Sequence, residues 1–271
     1  MKENFIRYPC VAGQFYPGEK HSLIKLLDKL IPKNLPQGKA LGIVSPHAGY
    51  IYSGRVAGEI FGRIKIPEKI VLIGPNHTGR GVRFSIMTRG KWLTPLGEVK
   101  IDEEMAQLIL KGSNYLEEDY LAHRYEHSLE VQLPFIQYFK EDFSIVPIIL
   151  TDADLTIYQE IGKGLASSLN SWKENLLFIA SSDMTHYEPQ EEAEKKDKLA
   201  MEAILSLKED LLFERINRYN ISMCGYAPCI VMLSAVKALG AKSAALVKYE
   251  TSGDTSGDYS SVVGYAGIIV K

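Results

Sequence analysis

The stretch Gly42 to Gly54 reads GIVSPHAGYIYSG: a short apolar run that breaks at Ser45-Pro46 and presents His47 directly after the break. Two other stretches repeat the layout. Ile70 to Gly79 reads IVLIGPNHTG and arrives at His77, and Leu176 to Tyr187 reads LLFIASSDMTHY and arrives at Asp183 and His186. Runs such as Ala40 to Val44 and Ile70 to Ile73 are too continuously apolar to leave one face in water, which marks strands buried on both sides. Between them, Val56, Ala57, Ile60, Phe61 and Ile64 recur at helical spacing after Ser53, a candidate N-cap, and before Pro67. Strand, helix, strand is the βαβ unit, which is almost always right-handed and parallel. His47 and His77 should therefore leave the same edge of one sheet, and the three strand ends are expected to meet there.

Outward from this core, Leu23 to Ile31 carries a helical stripe that Pro32 stops. Phe84 to Thr88 reads as a strand, and Lys91 to Thr94 with Glu98 to Ile101 as a hairpin around Pro95-Leu96-Gly97, together an antiparallel insertion. Asp102 can cap a helix through Leu110. A further helix is expected over Tyr125 to Phe139, kinked or divided at Pro134, with His127 and Glu130 on one face. Phe143 to Leu150 is the next strand, and Asp154 starts the helix that follows. Helices are expected over Glu191 to Leu205, Glu209 to Arg218 and Ala227 to Leu239, then strands over Ala244 to Glu250 and Val262 to Ile269. The loop Thr251 to Asp258 is too rich in Gly, Ser and Asp to be regular. The alternation predicts an α/β fold, a single domain over residues 1–271 with a mostly parallel central sheet flanked by helices.

Composition bounds the function. The 271 residues are 46% hydrophobic and 24% charged with a formal net charge of -2, which gives no bulk attraction to nucleic acid or to an anionic membrane. No apolar run is long enough to cross a bilayer, and MKENFIRYPC lacks the regions of a signal peptide, so a cytoplasmic protein is expected. Cys10, Cys224 and Cys229 are too few for a disulfide framework and form no CxxC pair.

In open α/β sheets, ligands bind beyond the carboxyl ends of the strands. Three of the six histidines lie at such ends. Imidazole, carboxylate and thiolate bind transition metals, and separate strands can assemble them without a local motif. The same groups serve acid and base chemistry: Asp183, three residues before His186, could orient that imidazole. Cys224 precedes a helix, where the dipole favours a thiolate, whereas Cys229 lies within the apolar helix body. His127 and Glu130 are expected to face the same cleft in support. No GxGxxG, Walker or GxSxG motif stands behind nucleotide binding or serine hydrolysis.

The motifs SPHAGYIYSG, GPNHTG, EHSLEVQLPF, SSDMTHY, MCGYAP and SGDTSGDYSSVVGYAG, in this order over nearly the whole chain, resemble the Memo family, including the AmmeMemoRadiSam system protein B type. The resemblance implies the fold of the class III extradiol dioxygenases, non-haem iron enzymes that use O2. It also implies His47, His77 and Cys224 as metal ligands, with Asp183 and His186 beside them in the cleft; as catalytic residues, His186 is expected to act as acid or base with Asp183 orienting it. Cys224 stands where those dioxygenases have a carboxylate. A thiolate is softer and suits copper, zinc or iron, so ring cleavage does not follow from the fold. The implied function is a metal-dependent oxidoreductase holding iron or copper. The alternatives are a zinc hydrolase, or a binding module for a small molecule or peptide in the cleft, as animal relatives are described as phosphotyrosine-peptide adaptors.

Overall fold

Five parallel strands run side by side through the centre of the molecule, in the order Gly97–Ile101, Ser144–Leu150, Lys69–Pro75, Leu176–Ser181 and Gly42–Ser45. The computed structural model describes residues 5–271. Gly42–Ser45 and Leu176–Ser181 are buried throughout, as is Lys69–Pro75 after its first residue, which is why they read as unbroken apolar runs. Leu176–Ser181 lies between the other two, so the three strands whose ends carry His47, His77 and Asp183 are immediate neighbours.

The sheet is mixed at its margins. Val262–Val270 pairs antiparallel with Gly42–Ser45, and Ala244–Thr251 and His186–Glu188 pair antiparallel with Val262–Val270. On the opposite side, Lys91–Thr94 and Gly97–Ile101 form the expected hairpin, but it is not an insertion. Gly97–Ile101 pairs parallel with Ser144–Leu150, so the hairpin widens the main sheet.

Helices cover both faces. Met232 and Val236 of the helix Tyr226–Ala238 press on Gly42 from one side. Val56 and Ile60 of Tyr50–Arg63 press on Gly267 from the other. Gly267 is the neighbour of Ile268, whose cross-strand partner Val44 shares the Gly42 face, so the two helices lie on opposite faces.

Three local expectations are corrected. The helix Tyr50–Arg63 starts before Ser53, whose hydroxyl donates to the Ala48 carbonyl at 3.0 Å from within the helix. The Thr251 to Asp258 loop contains a short helical turn, Gly253–Ser256, closed by Gly257 at φ 75°. No continuous helix spans Tyr125 to Phe139: Leu121–Arg124 ends first, a turn follows, then a 3-10 turn at Glu130–Gln132 and a helix at Leu133–Phe139. Glu126 accepts the Ser128 amide at 2.9 Å and fixes the turn. Pro134 opens the last helix, where its missing N–H costs nothing, and so does not kink a longer one.

Candidate metal centre

His47 follows the bend at Ser45-Pro46, which the buried Gln132 holds by donating from Nε2 to the Pro46 carbonyl at 2.9 Å. The ring is buried, and its Nδ1 lies 3.0 Å from the Ser181 hydroxyl. That hydroxyl donates to the Ser128 carbonyl at 2.6 Å and accepts from Gln132 Nε2 at 2.9 Å. Its one proton is committed, so His47 Nδ1 must be the donor and Nε2 carries a free lone pair. Burial, then the neighbouring histidines, holds the His47 pKa well below its ordinary value, so the ring is neutral.

His77 sits at the exposed rim, and a buried carboxylate fixes it. Glu126 accepts the His77 amide at 2.6 Å through Oε2 and the ring Nδ1 at 2.8 Å through Oε1. A carboxylate only accepts, so Nδ1 donates and Nε2 is the free ring nitrogen. Burial lowers the His77 pKa, but Glu126 outweighs it and the net direction is up. Gly74 makes the approach possible: a Cβ there would come within 2.6 Å of Ser128 Oγ and 2.7 Å of Leu129. The segment carrying Glu126 and His127 therefore lies directly against the strand that ends in His77.

Cys224 comes from far down the chain, just before the helix Tyr226–Ala238. Gly225 is again the reason: a Cβ there would stand 2.3 Å from the Ser181 carbonyl and 2.4 Å from Ser182. Cys224 Sγ lies 3.2 Å from His47 Nε2. The surroundings of Cys224 do not favour the expected thiolate. Burial pushes the thiol well above its ordinary pKa, and the nearby Asp183 pushes in the same direction.

Asp183 is in the site but does not hold His186. Its Oδ1 accepts the His47 amide at 2.7 Å, and Oδ2 lies 4.0 Å from His47 Nε2. Burial raises its pKa. His186 is instead fixed by Ser222, whose carbonyl takes Nδ1–H at 2.9 Å and whose Oγ accepts the His186 amide at 2.8 Å. His186 Nε2 is thereby the nitrogen left free.

His47, His77 and Cys224 each offer a ligand atom within 4.8 Å of the other two. On a tetrahedral ion with sulfur at about 2.3 Å and nitrogen at about 2.0 Å, neighbouring ligands stand roughly 3.5 Å apart. One nitrogen from each imidazole and one sulfur within this limit fit a transition-metal ion. His77, Glu126 and His127 form an overlapping group within the same limit, but Glu126 is already occupied by three hydrogen bonds. The His127 ring lies beside the other two, its centroid 4.8 Å from that of His77 and 5.6 Å from that of His47.

Glu130 does not face the cleft. It is buried against Arg7, accepts the Cys10 amide at 2.8 Å and the Tyr16 hydroxyl at 2.6 Å, and anchors the N-terminal segment. The residue missed from sequence is Glu126, adjacent to His127. Helical spacing pointed to Glu130 instead, and the turn at Glu126 breaks that spacing. His21 is exposed and His123 is buried against Ser85, both outside the centre.

The family model described as "Memo-like protein" matches residues 7–269. A MEMO1 family protein of Aquifex aeolicus is 47% identical, covering 97% of this chain and 98% of that one. One from Methanopyrus kandleri is 44% identical over 98% and 99%. One from Methanocaldococcus jannaschii is 45% identical over 99% and 100%. Among solved structures, an uncharacterized protein from Escherichia coli K12 superposes with a TM-score of 0.59 at 14% identity, over 85% of this chain and 100% of that one, a likeness of fold alone. With a family model spanning nearly its full length and relatives alike from end to end, the chain belongs to the Memo-like family.

Proposed function

We propose that the protein is a metal-dependent oxidoreductase, with iron or copper held by His47 Nε2, His77 Nε2 and Cys224 Sγ. The observation that carries this reading is the convergence of those three groups within 4.8 Å at the carboxyl edge of the sheet. When bound, the metal supplies one-electron chemistry toward O2 or another small oxidant, which a sulfur-containing ligand set suits through copper or iron.

The remaining steps belong to the chain. Ser181 and Glu126 fix the two imidazoles with their lone pairs inward, so binding requires little reorganisation. His186 takes a proton from a bound substrate at Nε2, its Nδ1–H being committed to Ser222. The His127 ring makes no hydrogen bond among the described residues, its Nδ1 standing 3.6 Å from Glu126 Oε1, and burial lowers its pKa, so it is a neutral imidazole beside the centre, open to substrate. Asp183 secures the His47 backbone and places negative charge beside the centre.

The test is metal analysis of protein purified without oxygen, followed by O2 uptake with ascorbate as electron donor. The reading expects one iron or copper per chain and uptake above that of the free ion, both lost in Cys224→Ser. Protein that takes up neither metal on reconstitution would overturn it.

A further inference from the structure

A cavity of about 630 Å³ opens between the N-terminal segment and the residues just before Glu126, and none of the three proposed metal ligands lines it. Its walls are Phe5, Tyr8, Tyr120, Leu121, Arg124 and Tyr125, with Arg7 and Cys10 at its inner end. Several large apolar side chains left open to solvent border it: Ile6 at 41% exposure, Tyr8 at 65%, Leu121 at 57% and Tyr125 at 49%. They ring one hollow, within the size range of small-molecule sites, about 300–1,000 Å³.

The charges around the hollow are uneven. Arg7 is consumed: it pairs with Glu130 and donates to the carbonyls of His123 and Glu126. Arg89 is also paired, with Glu118 at 3.6 Å. Arg124 forms no ion pair among the described residues and lies 5.3 Å from the centre of the Tyr125 ring. Arg80 lies 4.9 Å from that same centre and is likewise without a carboxylate partner among the described residues. Two guanidinium groups thus gather on one tyrosine with no carboxylate partner among the described residues. Like charges so placed repel unless an anion joins them.

We propose that this cavity binds an organic anion with an apolar body and a single acidic head, the body against the tyrosines and leucine and the head on Arg124. One uncommitted arginine in the wall, with Arg80 behind its ring, matches one acidic group rather than a polyphosphate. The stacked pair Phe5 and Tyr120, with centroids 3.6 Å apart, favours an aromatic over a long-chain body.

The test is isothermal titration of the full-length, metal-loaded protein with two probes, 2-naphthoate and decanoate. The proposal expects saturable one-to-one binding, tighter for 2-naphthoate. Arg124→Ala should weaken it at least tenfold, Arg124→Lys less, and Leu121→Trp, which fills the hollow from an exposed position, should abolish it. Metal content should be unchanged in all three, which separates this site from the metal centre. Tighter binding of decanoate would overturn the aromatic assignment. Absence of saturable binding by either probe, or equal affinity in Arg124→Ala and Leu121→Trp, would overturn the site.

Discussion

The Nε2 atom of His47 and the Sγ atom of Cys224 lie 3.2 Å apart although 177 residues separate them in the chain. With His47 Nδ1 donating to Ser181, Nε2 is the acceptor of this contact, and the thiol also lies 3.7 Å from the Asp183 carbonyl. Burial keeps the thiol proton on sulfur at neutral pH, so a metal ion can take the sulfur only by displacing it. Binding at pH 7 should release about one proton from Cys224, with a further contribution from His77, whose pKa is also raised, and strengthen as the pH rises. Titration of the anaerobic protein in two buffers of different ionisation enthalpy measures this release. In Cys224→Ser both the metal and the released proton should disappear, while the far-ultraviolet circular dichroism stays native.

Glu126 tests whether positioning matters as much as ligation. Its carboxylate holds the amide and the ring of His77 and closes the turn at Ser128. In Glu126→Gln one oxygen becomes a donor facing another donor, and the ring loses its fixed tautomer. Metal affinity should fall by about 10–100-fold, the usual cost of losing such a partner. Competition with a chelator of known affinity reads it. An affinity unchanged within twofold would mean that Glu126 only shapes the backbone.

Much of this arrangement was legible in the sequence, and the physical reason is burial. The strands ending at His47, His77 and Asp183 are enclosed on both faces, so their apolar runs were unambiguous, and parallel pairing put their ends together. Cys224 stood out as a thiol just before a helix, but its role as a ligand came only through family resemblance, because a turn before a helix has no periodicity to show what it meets. The segment from Tyr125 to Phe139 was misread for a specific cause. Its apolar spacing is helical, but Glu126 and Glu130 recruit backbone amides and side chains from elsewhere and break the helix into turns. His186 was expected to lean on Asp183 because the two are close in sequence. Its actual partner, Ser222, lies 36 residues away, and no local pattern announces it.

Ser181 is the hub that sets the His47 tautomer. One hydroxyl serves the His47 ring, the Gln132 amide and the Ser128 carbonyl, all buried. Ser181→Ala leaves these groups short of a partner and should cost about 1–3 kcal/mol of stability. For a chain of this size that is a fall in Tm of several degrees, about 2–4 °C per kcal/mol. The same variant should also bind metal more weakly, since His47 Nδ1 no longer has a fixed acceptor. Differential scanning calorimetry and chelator competition on one preparation separate the two effects.

Glu130, which lies away from the cleft, should control acid stability. Burial alone would raise its pKa, but Arg7, the Cys10 amide and the Tyr16 hydroxyl outweigh burial and hold it below the ordinary 4.5. A carboxylate with a depressed folded-state pKa stabilises fully above the unfolded value and loses that contribution as pH falls through the folded value. Glu130→Gln strands the buried Arg7 and should cost about 3–5 kcal/mol at pH 7. The gap between native protein and variant should stay constant down to about pH 5 and shrink below 4.5, as protonation removes the charge in the native protein too. Urea unfolding of both proteins at a series of pH values measures it. A gap that persists undiminished at pH 3 would show that Glu130 acts through packing and not through its charge.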